Sequence, residues 1–133
     1  MGGRLTVVLV DTNALAYVLL DDSRLSSRAA EAIASAATAY VSVASFYEIG
    51  QKVRQRKWDA MAPYAADIAD RVTRDGFVSL DLGAGVMTKA SLMDWPHRDP
   101  FDRMIAAQAL VLGVPLVSAD RAFDVLPLTR IWD

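Results

Sequence analysis

Residues 97–109, HRDPFDRMIAAQA, place the chain's only histidine, His97, with Arg98, Arg103, Asp99 and Asp102 in the first seven positions, then turn apolar. Carboxylates at this density have two ordinary uses. They cap helices and complement the dipole at a helix start, or they gather around a cation, because crowded carboxylates raise one another's pKa until a positive charge relieves them. Both readings fit. Pro100 suits a first helical position, which makes Asp99 an N-cap and puts Asp102 in the first turn.

Three further acids stand at matching places. Asp11 directly follows the apolar run LTVVLV at 5–10, and Asp120 comes one residue after VPLVS at 114–118. Glu48 lies five residues beyond AYVSV at 39–43. In an open α/β sheet, ligands bind beyond the carboxyl ends of the strands, and helix starts share that rim. Up to five carboxylates are therefore expected to meet there: Asp11, Glu48, Asp99, Asp102 and Asp120. Singly, each has a plain explanation: Asp11 as a helix cap, Asp120 as a turn residue, Glu48 as the partner of Lys52 one turn on. Jointly, an oxygen-only cluster in a chain with no cysteine and one histidine selects Mg²⁺ or Mn²⁺ rather than zinc.

The elements that must position these acids alternate. Strands are expected at 5–10, 39–43, 77–80, 114–118 and 128–132. Helices are expected from about Asn13, over 26–37, over 43–57 with Val43, Phe46, Ile49 or Gly50, and Val53 on one face, over 60–73, over 84–94 and from Pro100 to Gly113. Such alternation builds a mainly parallel sheet of four or five strands with helices on both faces, here a single three-layer α/β domain over 1–133. A hydrophobic content of 53% with 23% charged residues suits a globule. No stretch reaches the roughly 18 uncharged apolar residues of a membrane helix, the N-terminal apolar run ends too early for a signal peptide, and the lack of cysteine fits a cytoplasmic protein. The opening MGGRLT matches a loose myristoylation pattern, but Leu5 leads straight into the first strand.

The segments LVDTNAL (9–15), SFYEIGQKVRQRK (45–57), HRDPFDRMIAAQA (97–109) and LVSADRAF (116–123) resemble the PIN-domain ribonucleases, specifically the toxins of VapBC-type toxin–antitoxin pairs. The resemblance covers essentially the whole chain. It implies a Mg²⁺-dependent endoribonuclease, with Mn²⁺ as substitute, whose metal ligands match Asp11, Glu48, Asp102 and Asp120, with Asp99 as an extra catalytic aspartate. It also implies a small DNA-binding antitoxin as partner and pairing into homodimers. Metal-assisted hydrolysis suits a site without a protein nucleophile.

Around the acids, Thr12, Asn13 and Ser118 stand where hydrogen bonds would orient the carboxylates. His97 has three open roles: phosphate contact, proton carrier, or buttress of the loop before the helix. The net charge of −2 hides a basic remainder, since without the five rim acids 14 basic residues face 11 acidic ones. Lys52, Arg56, Arg98 and Arg103 are the candidates to hold RNA phosphates; Arg54 and Lys57 fit a solvated helix end equally well. Leu15, Val18, Leu19 and Leu20 exceed one core-facing stripe, so part of the first helix is expected either to be buried or to line a groove for an apolar antitoxin segment. Competing classes are a non-catalytic module of the same fold and a structure-specific PIN-like DNA nuclease. Phosphatases of the haloacid dehalogenase type need a second aspartate where Asn13 stands, and response-regulator receivers need a lysine after a late strand, so both fit poorly.

Overall fold

A computed structural model describes residues 6–133; Leu5, as the start of the first strand, and the MGGRLT start lie outside or at the edge of that range. Five strands form one sheet: β1 (Val7–Val10), β2 (Thr38–Ser42), β3 (Val78–Leu80), β4 (Leu116–Val117) and β5 (Arg130–Ile131). Their order is β3-β2-β1-β4-β5 and every pairing is parallel. A central parallel strand has no wet face, which is why β1 reads VVLV without a polar position. Its side chains alternate between two cores. Val8 and Val10 join Val41, Val117 and Ile49 on one side, while Leu9 joins Leu116, Ile105 and Phe123 on the other. Full burial of each such side chain contributes roughly 1.5–3 kcal/mol.

Helices α1 (Thr12–Leu19), α2 (Ser27–Ser35), α3 (Val43–Arg54), α4 (Ala62–Ala65), α5 (Ile68–Arg74), α6 (Ala84–Leu92) and α7 (Pro100–Leu112) cover the sheet. Ser26 and Ser42 cap α2 and α3 by accepting from Ala29 N and Ala44 N, and this fixes where each connection leaves the sheet.

Two expectations are corrected. The stretch 60–73 is not one helix but a short 3₁₀ turn (Asp59–Met61) followed by α4 and α5. Pro63 is tolerated only in a first turn, and Asp67, at φ −121° and ψ 28°, leaves the helical region before α5. The inward face of α3 is also rotated by one residue. Ala44, Ser45, Glu48 and Ile49 are buried, whereas Val43, Phe46 and Val53 are only half-buried. That rotation carries Glu48 inside.

On α1, Leu15 and Leu19 are buried in the first core, with Val18 and Leu20 half-buried against it. Burial thus accounts for the apolar excess at Leu15 and Leu19. Val18 also lines a groove of about 270 Å³ with Tyr17, Leu25 and Ile33.

Helix α7 ends at Gly113, which sits at φ +67° in the left-handed region, donating to Ala109 O. A Cβ added there would meet nothing within 4 Å, so Gly113→Ala should cost only the backbone preference, about 1 kcal/mol. Urea unfolding checks this; an unchanged midpoint would contradict it.

Candidate metal-binding active site

Asp11 ends β1 and opens α1. Its carboxylate accepts from Ala14 N at 2.9 Å and from the Ser118 hydroxyl, and only 5% of the residue is exposed. Burial pushes its pKa up to about 7, the charges of Asp102 and Glu48 push the same way, and the two hydrogen bonds oppose. Asp102, in the first turn of α7, is raised to about 6, again chiefly by burial, with Asp99 and Glu48 adding and the His97 hydrogen bond opposing. Asp11 therefore lies in the fields of Asp102 and Glu48, and Asp102 in those of Asp99 and Glu48. Asp120 joins through Asp102: His97, Asp102 and Asp120 each offer a ligand atom, all within 4.8 Å of one another.

The capping reading and the cation reading hold together. Asp11 caps α1; Asp99 caps α7 by accepting from Phe101 N at 2.8 Å and Asp102 N at 3.2 Å; and Asp120 caps the 3₁₀ turn Arg121–Val125 through Ala122 N at 2.9 Å. Helix starts bring the acids to the rim, and the parallel sheet puts all those starts at one end. Glu48 and Asp102 cap nothing. Glu48 is 4% exposed; its Oε2 accepts from Lys52 Nζ at 2.9 Å, while its buried Oε1 has no hydrogen-bond partner among the described residues.

Of the residues expected to orient the acids, Ser118 is placed best. It is fully buried, bonds the Asp11 carboxylate and accepts from the backbone Asp120 N at 3.0 Å, so one hydroxyl ties Asp11 to the Asp120 turn. Thr12 bonds Ser45 at 2.8 Å, tying α1 to α3 rather than touching an acid. Asn13 is exposed, and among the described residues no hydrogen bond links its amide to a carboxylate. Position in the DTN segment did not reveal that it points outward.

The basic candidates divide. Arg56 and Arg98 are exposed and Lys52 is held on Glu48 and over the Trp58 ring. Arg103 is corrected as a phosphate holder. Its Nε donates to Ala90 O at 2.9 Å, Nη1 to Trp95 O at 2.6 Å and His97 O at 3.0 Å, and Nη2 to Met93 O at 2.6 Å. Four of the five guanidinium donors thus clamp the 90–97 connection. That loop presents His97, whose Nε2 lies 2.7 Å from Asp102 Oδ2 and whose ring stacks on Trp95 at 4.5 Å and 17°. The His97–Asp102 bond and the Arg103 clamp were the features missed; the only trace in the sequence is the close spacing of Trp95, His97, Asp102 and Arg103. Arg130 steadies the far side, donating to Ser118 O and to Asp124 beside the Asp120 turn.

The donor set fits a hard divalent ion. It is almost all oxygen, it contains an orphaned buried carboxylate oxygen, and burial followed by like-charge neighbours raises two of its acids, Asp11 to about 7 and Asp102 to about 6. A stability consequence follows. The unfolded carboxyl titrates near 3.8 and folded Asp11 at about 7, so between those values the folded chain holds the extra proton and stability falls as pH rises. At 1.36 kcal/mol per pH unit, Asp11 alone sets a loss on the order of 4 kcal/mol at most. Urea unfolding in EDTA should give a lower free energy at pH 8 than at pH 5, with Mg²⁺ recovering it at pH 8. A flat or rising profile in EDTA would contradict this.

A doubly covered parallel sheet with an acidic cluster beyond its carboxyl edge defines the class: an α/β protein whose rim residues could hold a cation. The PIN domain family model matches residues 8–127, and the chain belongs to the PIN-domain family. Among solved structures, it is similar to VapBC2 from Rickettsia felis bound to a DNA fragment from their promoter, at TM-score 0.67 and 18% identity, covering 96% of this chain and 100% of that one. It is also similar to Mycobacterium tuberculosis VapC20, a sarcin-ricin loop cleaving toxin, at TM-score 0.66 and 16% identity over 95% and 99% of the two chains. A toxin-antitoxin complex from Klebsiella pneumoniae matches at TM-score 0.66 and 15% identity, over 90% and 92%. No curated protein matches the sequence. No helix among the described residues is long and apolar enough to cross a membrane.

Proposed function

We propose that this chain is a divalent-metal-dependent endoribonuclease, the toxin of a toxin–antitoxin pair, acting as one PIN domain over 1–133. The observation that carries the reading is the convergence of Asp11, Glu48 and Asp102, each drawn out of bulk water, with one Glu48 oxygen unpartnered. Membership of the PIN family and the likeness to VapC-type toxins support it.

Asp11, Glu48, Asp102 and Asp120 would hold the ion, Mg²⁺ or in its place Mn²⁺, with Asp99 beside them. When bound, a divalent ion supplies Lewis acidity toward water and the phosphate oxygens. The chain's own residues prepare for that charge. Ser118 fixes the Asp11 carboxylate through its hydroxyl. His97 Nε2 and Asp102 Oδ2 share one proton between them, and the Trp95 stack keeps the imidazole in place. Lys52 neutralises Glu48 and must release Oε2 if both Glu48 oxygens are to serve the ion. Arg98 and Arg56, exposed and without an ion pair among the described residues, face RNA phosphates as salt-sensitive contacts.

An unrestrained nuclease of this kind needs silencing. A small DNA-binding antitoxin, seated partly in the groove at Val18 and reaching the acids with an Arg or Lys side chain, would compete with the ion; Lys52 on Glu48 is the internal example of such a contact. The protein is cytoplasmic and homodimeric in this reading. The test is incubation of the purified chain with a panel of RNAs in Mg²⁺, Mn²⁺ and EDTA, alongside flap DNA. Cleavage of RNA with either ion and none in EDTA is expected, and co-expression with the antitoxin should remove it. No cleavage with any divalent ion would refute the reading, and preferential cleavage of flap DNA would move it to the structure-specific nucleases.

A further inference from the structure

Two aromatic residues stand one position before acids of the cluster: Tyr47 before Glu48 on α3, and Phe101 before Asp102 on α7. Their rings meet across the two helices, with centroids 5.8 Å apart and planes tilted by 32°. Phe101 is half-buried and packs on the second core, which anchors it. Tyr47 belongs to neither core and is 62% exposed. The result is a ring pair with a fixed inner member and a solvent-facing outer one, beside two acids of the cluster, Glu48 and Asp102, the first of which lies near enough for its charge to act on the second.

We propose that Tyr47 and Phe101 form a base-stacking subsite that takes one unpaired nucleobase adjacent to the phosphate being cut. The inference rests on the endoribonuclease reading for the identity of the reaction, but the stacking itself is independently measurable. A base inside a duplex is covered on both faces, so only a splayed or single-stranded nucleotide offers a ring face to a protein aromatic. Stacking tolerates any base, so the subsite selects for unpaired RNA rather than for a sequence. Anchoring by Phe101 limits the freedom that Tyr47 loses on binding. The exposed Arg98, beside His97 of the same site, is available to the flanking phosphate.

The test uses wild type, Tyr47→Ala and Tyr47→Phe on a single-stranded RNA oligonucleotide, its duplexed form, and versions carrying one abasic nucleotide at each position near the cut. Alanine substitution at a stacking residue lowers affinity by about 5- to 150-fold. Tyr47→Ala should raise KM by that order, Tyr47→Phe should not, and duplexing should slow cleavage. One abasic position should weaken wild type by a similar factor yet leave Tyr47→Ala unaffected, since the two losses remove the same contact. Additive losses from the substitution and every abasic position would overturn the proposal, as would wild-type KM for Tyr47→Ala. A loss accompanied by conversion of a dimer to monomer in sedimentation, with no abasic coupling, would reassign the ring pair to contact between copies. Should wild type cleave nothing, the functional reading falls by itself. Fluorescence anisotropy of the same intact and abasic oligonucleotides on wild type and Tyr47→Ala then decides the stacking claim by the same coupling.

Discussion

Asp11→Asn should abolish metal-dependent cleavage, by about 10³-fold or more if the cation site carries several kcal/mol of the barrier, while raising the metal-free melting temperature at pH 8. The two effects have one cause. Asparagine caps helices as well as aspartate, so its Oδ1 keeps Ala14 N. What disappears is a charge held where burial already drives the carboxyl to about 7, together with its repulsion of Asp102 and Glu48. At pH 5 the wild-type carboxyl is protonated, so the gain should vanish there. Paired thermal melts at pH 5 and pH 8 in EDTA read this out directly. A mutant several degrees less stable at both values would make Asp11 a structural cap and nothing more.

Arg103→Met should produce the opposite pattern, a large loss of stability. Hydrogen bonds to charged groups contribute about 1.5–3 kcal/mol each and orphaned partners add their own penalty. Removing four such bonds to Ala90, Met93, Trp95 and His97 carbonyls should cost on the order of 4 kcal/mol after local relaxation. Arg103→Lys should recover little, because an ammonium cannot reproduce a planar fork aimed at carbonyls on several sides. With the clamp gone the 90–97 connection loosens, His97 leaves Asp102, and activity falls even in the folded fraction. Urea unfolding of both variants measures the effect. A change below about 1 kcal/mol, coupled to weaker and less salt-dependent RNA binding, would return Arg103 to the phosphate-holding role its position first suggested.

The contrast between these two residues marks where the sequence is legible. Asp11 could be placed because its surroundings are local: a buried strand ends, a helix begins, and the rim of a parallel sheet follows from alternation alone. The same local rules located Asp99 from Pro100 and the stop at Gly113. Glu48 was placed on the right helix, although its burial depended on a one-residue rotation of the inward face that apolar spacing did not resolve. Arg103 could not be read from local pattern. Its partners lie 6 to 13 positions upstream, most of them in a connection without periodicity, and an arginine near an acidic cluster looks the same whether it faces phosphate or carbonyls. The break within 60–73 escaped for a related reason, since helix-forming composition continues across Ala66 and Asp67 while the backbone does not. Asn13 shows the limit in the other direction, where membership of a motif says nothing about which way a side chain turns.

The central claim is that buried acids on one rim form a cation site that the chain leaves electrostatically unfinished. Manganese binding followed by electron paramagnetic resonance at pH 8, with competition by Mg²⁺, tests it most directly. The wild-type chain should bind Mn²⁺, lose it to excess Mg²⁺, and bind progressively more weakly as pH falls from 8 to 5, because Asp11 and Asp102 must surrender protons to the ion. Asp11→Asn should bind far more weakly at pH 8. Equal Mn²⁺ affinity for wild type and Asp11→Asn, with no dependence on pH, would contradict the account.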